Sequence, residues 1–199
     1  MNGKDDGMNY WLLGDIWLRV AEQGDAPLFF EHFRTSPEWI ERAFDKVGFP
    51  PALADAERWL SGHGGDSRVF AIEGALCGAQ GVSQGVSQGG ELLGYIDVWE
   101  ADARSGVFRT GIKMLDGKAG KGHATRAFSR VLRYYFDELR YQKCGVYIYE
   151  FNTASLRFHE KLGFVREGFL RREYYTEGRY YGAVWLGLTA EDFRAKRAS

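Results

Sequence analysis

The spacing of apolar and polar positions changes along the chain, and each change marks an element. The stretch "YWLLGDIWLRVA" predicts two short strands around Gly14-Asp15. Asp25 and Pro27 then begin a helix through "LFFEHF", because both residue types favour helix starts. A second start at Ser36-Pro37-Glu38 and the apolar spacing of "ALADAERWLSG" predict two further helices. A helical block therefore separates the first strands from the next.

The remainder of the chain alternates strands with two helices. The stretches "SRVFAIE", "ELLGYIDVWEA" and "SGVFRTGIKML" predict strands, as do "CGVYIYEF", "FVREGFLRREYY" and "RYYGAVWLGL". "NTASLRFHEKLG" predicts a helix capped by Asn152 and ended by Gly163. The clearest helix has one apolar face, formed by Ala124, Ala127, Phe128, Val131, Leu132, Tyr135, Phe136 and Leu139. The order predicts an α+β fold, a mixed α/β sheet with helices on it.

We expect one domain over residues 1–199 with two flexible segments. Residues 1–9 form a polar N-terminus. Residues 78–90 are rich in Gly, Ser and Gln and contain a tandem GVSQ repeat, a composition that does not build a packed core.

Composition narrows the classes of function. The net charge of −1 does not suggest the strongly basic surface of a nucleic-acid-binding protein, and no apolar run approaches the ~20 residues of a membrane span. The first residues lack the apolar core of a signal peptide. Cys77 and Cys144 are far apart and form no Cys-x-x-Cys pair, and Cys144 is interpreted as a small buried apolar residue. We expect a cytoplasmic protein with no nucleic-acid partner, no membrane contact and no metal.

The stretch "DGKAGKGHATRAF", residues 116–128, places three glycines and two lysines directly before the clearest helix. A helix start carries unpaired N–H groups and partial positive charge, and glycines let a phosphate approach the backbone. The loop therefore predicts a phosphate-binding site. His123-Ala124 after Gly122 excludes a Walker loop, and Thr125 breaks the dinucleotide fingerprint.

The segment "AGKGHAT" resembles the pyrophosphate loop of the GNAT acetyltransferases, Gln/Arg-x-x-Gly-x-Gly/Ala. Gly122 and Ala124 match this pattern, whereas Ala119 departs from it, as in the branch of the ribosomal-protein acetyltransferases RimJ and RimL. "IWLRVAEQGDAPLF", "NTASLRFHEKLGF" and "EGFLRREYYTEGRYYGAVWLGL" resemble further family segments, with Gly182 in place of the usual Asp. The resemblance spans about residues 15–190.

This resemblance implies the GNAT acyl-CoA N-acyltransferase fold, in which two central strands splay apart. It implies direct transfer of an acetyl group from acetyl-CoA to a primary amine of a peptide N-terminus or small molecule. The alternative is a non-catalytic acyl-CoA-binding or regulatory module. The oligomeric state is open, with a homodimer as one candidate. The expected acetyl-CoA contacts are Met114, Leu115, Gly120, Lys121, Gly122, His123, Ala124, Thr125, Asn152 and Lys161.

The resemblance also supplies candidates for catalysis. The N–H of Met114 or Leu115 is the expected donor to the oxyanion. Ser155 and His159 share a helix face with Asn152 and are both candidates for the proton donor to the departing thiolate. Water is a third candidate.

The acceptor side is less defined. Strand alternation places Tyr147, Tyr149 and Phe151 on one face, which we assign to the acceptor cleft. Three aromatic residues on the early helices are candidates for its wall or for core: Trp39, Phe44 and Trp59. The sequence does not identify the base that takes a proton from the amine. Three acids near central strands are candidates, although each is typical of a structural or solvated position: Asp97, Glu100 and Glu150.

Overall fold

A computed structural model describes residues 10–35, 52–74, 90–176 and 178–198. They form one eight-stranded mixed sheet in the order β1-β2-β3-β4-β5-β6-β8-β7. All neighbouring strands are antiparallel except β5 and β6. The strands are β1 Leu12–Leu13, β2 Ile16–Val20, β3 Arg68–Gly74, β4 Leu92–Asp102, β5 Val107–Met114, β6 Lys143–Tyr149, β7 Val165–Thr176 and β8 Arg179–Thr189.

Five α-helices accompany the sheet in these residues. They are α1 Ala26–Thr35, α2 Leu53–Ser61, α3 His123–Arg133, α4 Thr153–Leu162 and α5 Ala190–Ala198. A 3-10 turn, Gln23–Asp25, precedes α1, and a π-helical turn, Tyr134–Glu138, extends α3. None of the helices in the described ranges is long and apolar enough to cross a membrane.

The predicted mixed sheet is confirmed, as are the predicted strands and helices that fall in these ranges. Helix α5 was missed because "AEDFRAKRA" is mostly polar and buries only Ala190 and Phe193. Several expectations lie outside the described residues: the flexible segments at 1–9 and 78–89, the helix at Ser36-Pro37-Glu38, Cys77, and the aromatic residues Trp39 and Phe44.

The main core lies on the face of the sheet covered by α3. The apolar stripe predicted for this helix is buried except at its two ends, Ala124 and Leu139, which are half-buried, and Phe128 and Leu132 are fully inaccessible. Cys144 is also inaccessible, as expected, and burial raises the pKa of its thiol. Helices α1 and α2 cover the opposite face and enclose a smaller cluster around Phe29 and Tyr95. The part of the sheet around β3 and β4 is therefore packed on both faces.

The parallel strands β5 and β6 separate partway along their length. They pair only from Val107–Arg109 with Lys143–Gly145. Beyond these residues β5 continues with β4 as far as Met114, and β6 continues with β8 as far as Tyr149. Each strand therefore stays in the sheet while a gap opens between them, as the splayed fold predicts.

At Gly182, where the family pattern usually has Asp, the backbone of β8 is covered by a neighbouring ring. A Cβ atom here would lie 2.1 Å from the Phe169 side chain, so only glycine fits under that ring. The Gly182 N–H also donates to Glu150 Oε1 at 2.7 Å. The hairpin is therefore closed by an aromatic side chain and a carboxylate that accepts a backbone hydrogen bond.

Candidate active site

A pocket of about 430 Å³ occupies the gap between β5 and β6. One part of its wall comes from α3 and α4, with Ala124, Ser155 and Phe158. Another part comes from side chains on the sheet face that carries α1 and α2, including Trp59 and Asp97. The pocket therefore connects both faces, so two molecules entering from opposite sides can meet in the gap.

The glycine loop ends at the start of α3, beside this pocket. Gly120 and Gly122 both have positive φ, +89° and +77°, and a Cβ on either would meet no atom of the described residues within 4 Å. The first helical hydrogen bond runs from the Arg126 N–H to the Gly122 carbonyl. The N–H groups of residues 123–125 therefore point out of the helix start, where they can bind an anion.

The two lysines of the loop have different environments. Lys118 pairs with Glu91, whereas Lys121 is exposed and forms no ion pair with any residue in the described ranges. Lys121 is therefore the loop cation that can still bind a phosphate. His123 is buried and its Nε2 lies 3.1 Å from Asp15 Oδ2, so its side chain fixes the helix start to the turn before β2.

The N–H groups at the end of β5 alternate in direction. The Leu115 N–H donates to the Leu93 carbonyl at 2.9 Å and so points to β4. In an antiparallel ladder the next residue points the other way, so the Met114 N–H is directed at the gap. The expectation that Leu115 could donate to the oxyanion is therefore wrong, and of the two amides only Met114 suits that role.

Asn152 and Ser155 lie together at the first turn of α4. Asn152 caps the helix by accepting the Ser155 N–H on Oδ1 at 3.1 Å, as predicted. This bond leaves the side-chain NH₂ of Asn152 as a donor, and both residues line the pocket. The Ser155 hydroxyl therefore lies in the positive field of a helix N-terminus, which stabilises negative charge such as a thiolate.

His159 lines the same pocket but is 3% exposed and surrounded by the rings of Phe128, Phe158 and Phe164. Its Nδ1 lies 2.8 Å from the Ser155 carbonyl oxygen, and since a carbonyl only accepts, Nδ1 must carry hydrogen. Burial lowers the pKa of His159 to about 4. The imidazole is therefore neutral at pH 7 and its N–H proton is already donated, which disfavours His159 as the proton donor.

The buried imidazole gives a prediction for acid stability. Because the pKa of His159 is about 4 in the folded state and about 6.5 unfolded, the unfolded state binds the proton first as pH falls. This contribution to stability is present above pH 6.5 and is lost as pH falls towards 4. Between pH 7 and pH 5 we expect protonation linked to His159 to lower the free energy of unfolding by about 2 kcal/mol, as measured by urea unfolding. In His159→Phe this contribution should vanish, and parallel pH curves for both proteins would contradict it.

The other residues expected at the acceptor cleft or the acetyl-CoA site do not all line the pocket. Tyr147 lines the pocket, whereas Tyr149 and Phe151 pack with Tyr174 and Tyr181 at the β7–β8 hairpin and are not among its lining residues. Lys161 is exposed in the last turn of α4, also away from the pocket lining.

An acid–imidazole pair lies on the α2 side of the pocket. His63 Nε2 is 2.6 Å from Asp97 Oδ1, and the Trp59 indole N–H donates to Asp97 Oδ2 at 3.2 Å. Asp97 and Trp59 both line the pocket. The other two acids considered as bases do not: Glu100 pairs with Arg109, and Glu150 accepts the Gly182 N–H.

His63 was missed by sequence reasoning. It follows the end of α2 in a glycine-rich turn, "SGHGGD", and no spacing links it to Asp97, 34 residues later. Only the packing of α2 against β4 brings the two together.

Comparison with known proteins gives one matching family model, the acetyltransferase (GNAT) domain, over residues 15–165. A relative from Bacillus subtilis, the SPbeta prophage-derived uncharacterized N-acetyltransferase YokL, is 30% identical over 94% of this chain and 96% of its own. A spermidine N(1)-acetyltransferase of Vibrio cholerae is 32% identical over 45% of this chain and 51% of its own.

Among solved structures, spermidine N-acetyltransferase from Vibrio cholerae in complex with CoA and spermine has the same fold. It matches with a TM-score of 0.75 over 92% of this chain and 99% of its own, at 21% identity.

Proposed function

The chain belongs to the GNAT acetyltransferase family and is an N-acetyltransferase, and we propose that it transfers acetyl from acetyl-CoA directly to a primary amine. The observation that carries this proposal is the pocket through the β5–β6 gap, with an anion-binding helix start on one side and a carboxylate on the other. The RimJ and RimL branch is supported by "GKGHA" at residues 120–124.

The pyrophosphate and the pantetheine arm of acetyl-CoA both have suitable partners in the described residues. The amides of residues 120–125 and the Lys121 ammonium bind the pyrophosphate. The amide-rich pantetheine arm pairs with the outward backbone of β5 near Met114 and with the Asn152 NH₂ group. These contacts place the thioester in the gap beside Ser155.

The transfer itself needs a hydrogen-bond donor to the oxyanion. It also needs a path that takes a proton off the attacking nitrogen and a path that delivers a proton to the sulfur. The amine attacks the thioester carbonyl, and the Met114 N–H donates to the resulting oxyanion. As the C–S bond breaks, one proton from the attacking nitrogen passes to the sulfur through the Ser155 hydroxyl, which relays it and ends unchanged. The helix N-terminus at Ser155 stabilises the thiolate until that proton arrives.

The acceptor is a primary amine of a small molecule or a peptide N-terminus. The spermidine acetyltransferases similar to this chain support a small, flexible polyamine as the first candidate. Release of CoA thiol should be measured with acetyl-CoA and a panel that includes spermidine, peptides, amino sugars and alkylamines. Acceptor-dependent release supports the proposal. Tight acetyl-CoA binding with no release for any amine would support the non-catalytic module instead.

The loop assignment predicts a change in affinity at Gly122. Replacing Gly122 by Val places a branched side chain where the pyrophosphate approaches, so we expect at least ~10-fold weaker acetyl-CoA binding by calorimetry.

Gly117→Val is the matched control. Gly117 has a similar φ, +72°, and an equally open Cβ direction, but it lies before residues 120–125, whose amides are proposed to bind the pyrophosphate. Both variants carry the same backbone strain, so only Gly122→Val should lose affinity. Equal affinities in the two folded variants would remove the loop from the site.

A further inference from the structure

The proposed function does not assign the base that takes a proton from the acceptor. We propose that Asp97 receives the ammonium group of the acceptor and accepts one of its protons, while His63 and Trp59 hold the carboxylate in position. This inference deepens the proposed function and rests on it, because it names the charge state of the acceptor in the same pocket.

The hydrogen bonds of His63 show that it shares one proton with Asp97. His63 Nδ1 lies 2.8 Å from the Trp59 carbonyl oxygen, which can only accept, so Nδ1 carries hydrogen. The 2.6 Å contact from Nε2 to Asp97 Oδ1 then holds a single proton, on either the imidazole or the carboxylate. With that proton the pair is neutral; without it, the pair carries one negative charge.

This arrangement suits proton uptake near neutral pH. The hydrogen bond that His63 donates to Asp97 raises the pKa of His63 above its usual value of 6.5, although burial opposes the shift. A base works best when its pKa lies near the operating pH. The pair can therefore lose its shared proton to solvent between turnovers and regain one from the acceptor.

Aromatic rings around Asp97 favour a cation. Trp59, Tyr95, Trp99 and Tyr147 all line the pocket, and the faces of such rings attract ammonium groups. The rings of Trp59 and Tyr95 pack against each other with their centroids 5.3 Å apart, so they form a packed wall of the pocket. The expected acceptor is therefore an amine that is protonated in solution, such as an aliphatic amine.

The other charged groups near the pair are few in the described residues. The direct strand neighbours of Asp97, Val69 on β3 and Gly111 on β5, bring no charge. Lys113 of β5 lines the same pocket, and Arg109 is paired with Glu100. Tyr95 beside Asp97 has its pKa raised well above normal by burial and stays neutral.

The proton balance of the reaction closes with this pair. The acceptor ammonium gives its first proton to Asp97, which shares it with His63 until the pair releases it to solvent. The freed amine forms the C–N bond, and its second proton ends on the sulfur as the C–S bond breaks. The products are an amide, CoA thiol and one proton.

Asp97→Asn should separate acceptors by their charge. With spermidine or ethylamine, both protonated at pH 7, kcat/KM should fall ~10²-fold or more. With trifluoroethylamine, which is mostly neutral at that pH, the loss should be less than ~10-fold. Acetyl-CoA affinity should not change. Glu100→Gln, on the same strand but outside the pocket, is the control and should behave as wild type.

His63 is a positioning residue, so its test is the pH profile. In wild type, kcat/KM should rise with pH through the raised pKa of His63. In His63→Gln this limb should move to lower pH, because the imidazole that shares the proton with Asp97 is gone. The part of the pH profile that depends on the ionisation of the acceptor itself should not move. An unmoved lower limb, or equal losses of Asp97→Asn with charged and neutral amines, would overturn the proposal.

A binding measurement tests the Asp97 assignment without catalytic turnover. NMR titration of His63 should give a lower pKa when ethylammonium is added, since a second cation then shares the Asp97 carboxylate. Asp97→Asn should lower the pKa of His63 and abolish the response. An unchanged pKa with ethylammonium would overturn the Asp97 assignment, whereas failure of every amine to be acetylated would overturn the proposed function instead.

Discussion

Ser155→Ala is expected to lower kcat by ~10²-fold, the low end for general-acid assistance, because a thiolate needs less help than a stronger base. Acetyl-CoA affinity should change little, since the hydroxyl acts only as the C–S bond breaks. Ser155 lies in the first turn of α4 and lines the pocket, whereas the neutral His159 imidazole already donates its proton to the Ser155 carbonyl. Steady-state kinetics and calorimetry together give both quantities.

Thr153→Ala is the matched control for Ser155→Ala. Thr153 is an exposed hydroxyl residue in the same helical turn and is absent from the pocket lining, so its loss should leave kcat unchanged. Full kcat in Ser155→Ala with a large loss in His159→Gln would reverse the assignment. Full activity in both variants and in their double variant would assign the proton to water.

Arg19→Met is expected to lower the free energy of unfolding by about 3–5 kcal/mol. Arg19 is buried on β2 and forms two hydrogen bonds to Asp25, at 2.7 and 2.8 Å, and one to Glu73 at 2.9 Å. Glu73 is almost inaccessible, so Arg19→Met takes a positive charge away from a buried carboxylate. Urea unfolding at pH 7 measures the loss.

Two variants control this result. Arg34→Met removes an exposed arginine paired with Glu31 on α1 and should change stability little, because surface ion pairs contribute little. Adding Glu73→Gln to Arg19→Met should recover part of the loss, since it also removes the buried negative charge. Similar small losses for Arg19→Met and Arg34→Met would show that the pair is not buried in solution.

The sequence predicted those parts of the fold that depend on local pattern. The α3 stripe, the Asn152 cap and the glycine loop are each encoded within one contiguous segment, and each has the expected conformation. The splay of β5 and β6 was expected only because the chain resembles a family that has it. Its geometry depends on pairings with β4 and β8, which no local pattern records.

The acceptor side could not be predicted in this way. Strand alternation correctly placed Tyr147 and Tyr149 on one face, but it could not show that Tyr149 packs beneath the β7–β8 hairpin while Tyr147 lines the pocket. Asp97 was among the candidate bases, yet its partner His63 comes from a turn after α2. Burial of His159 likewise depends on Phe128 from α3, in addition to Phe158 and Phe164 of its own segment.

The most direct test of the central claim follows a labelled acetyl group. The protein should be incubated with ¹³C-acetyl-CoA and the amine panel. Mass spectrometry should then measure the masses of the amines and of the intact protein. Direct transfer predicts labelled amide on an amine, one CoA thiol for each label, and no label on the protein. Label retained on the protein, or label on no amine while acetyl-CoA binds, would contradict it.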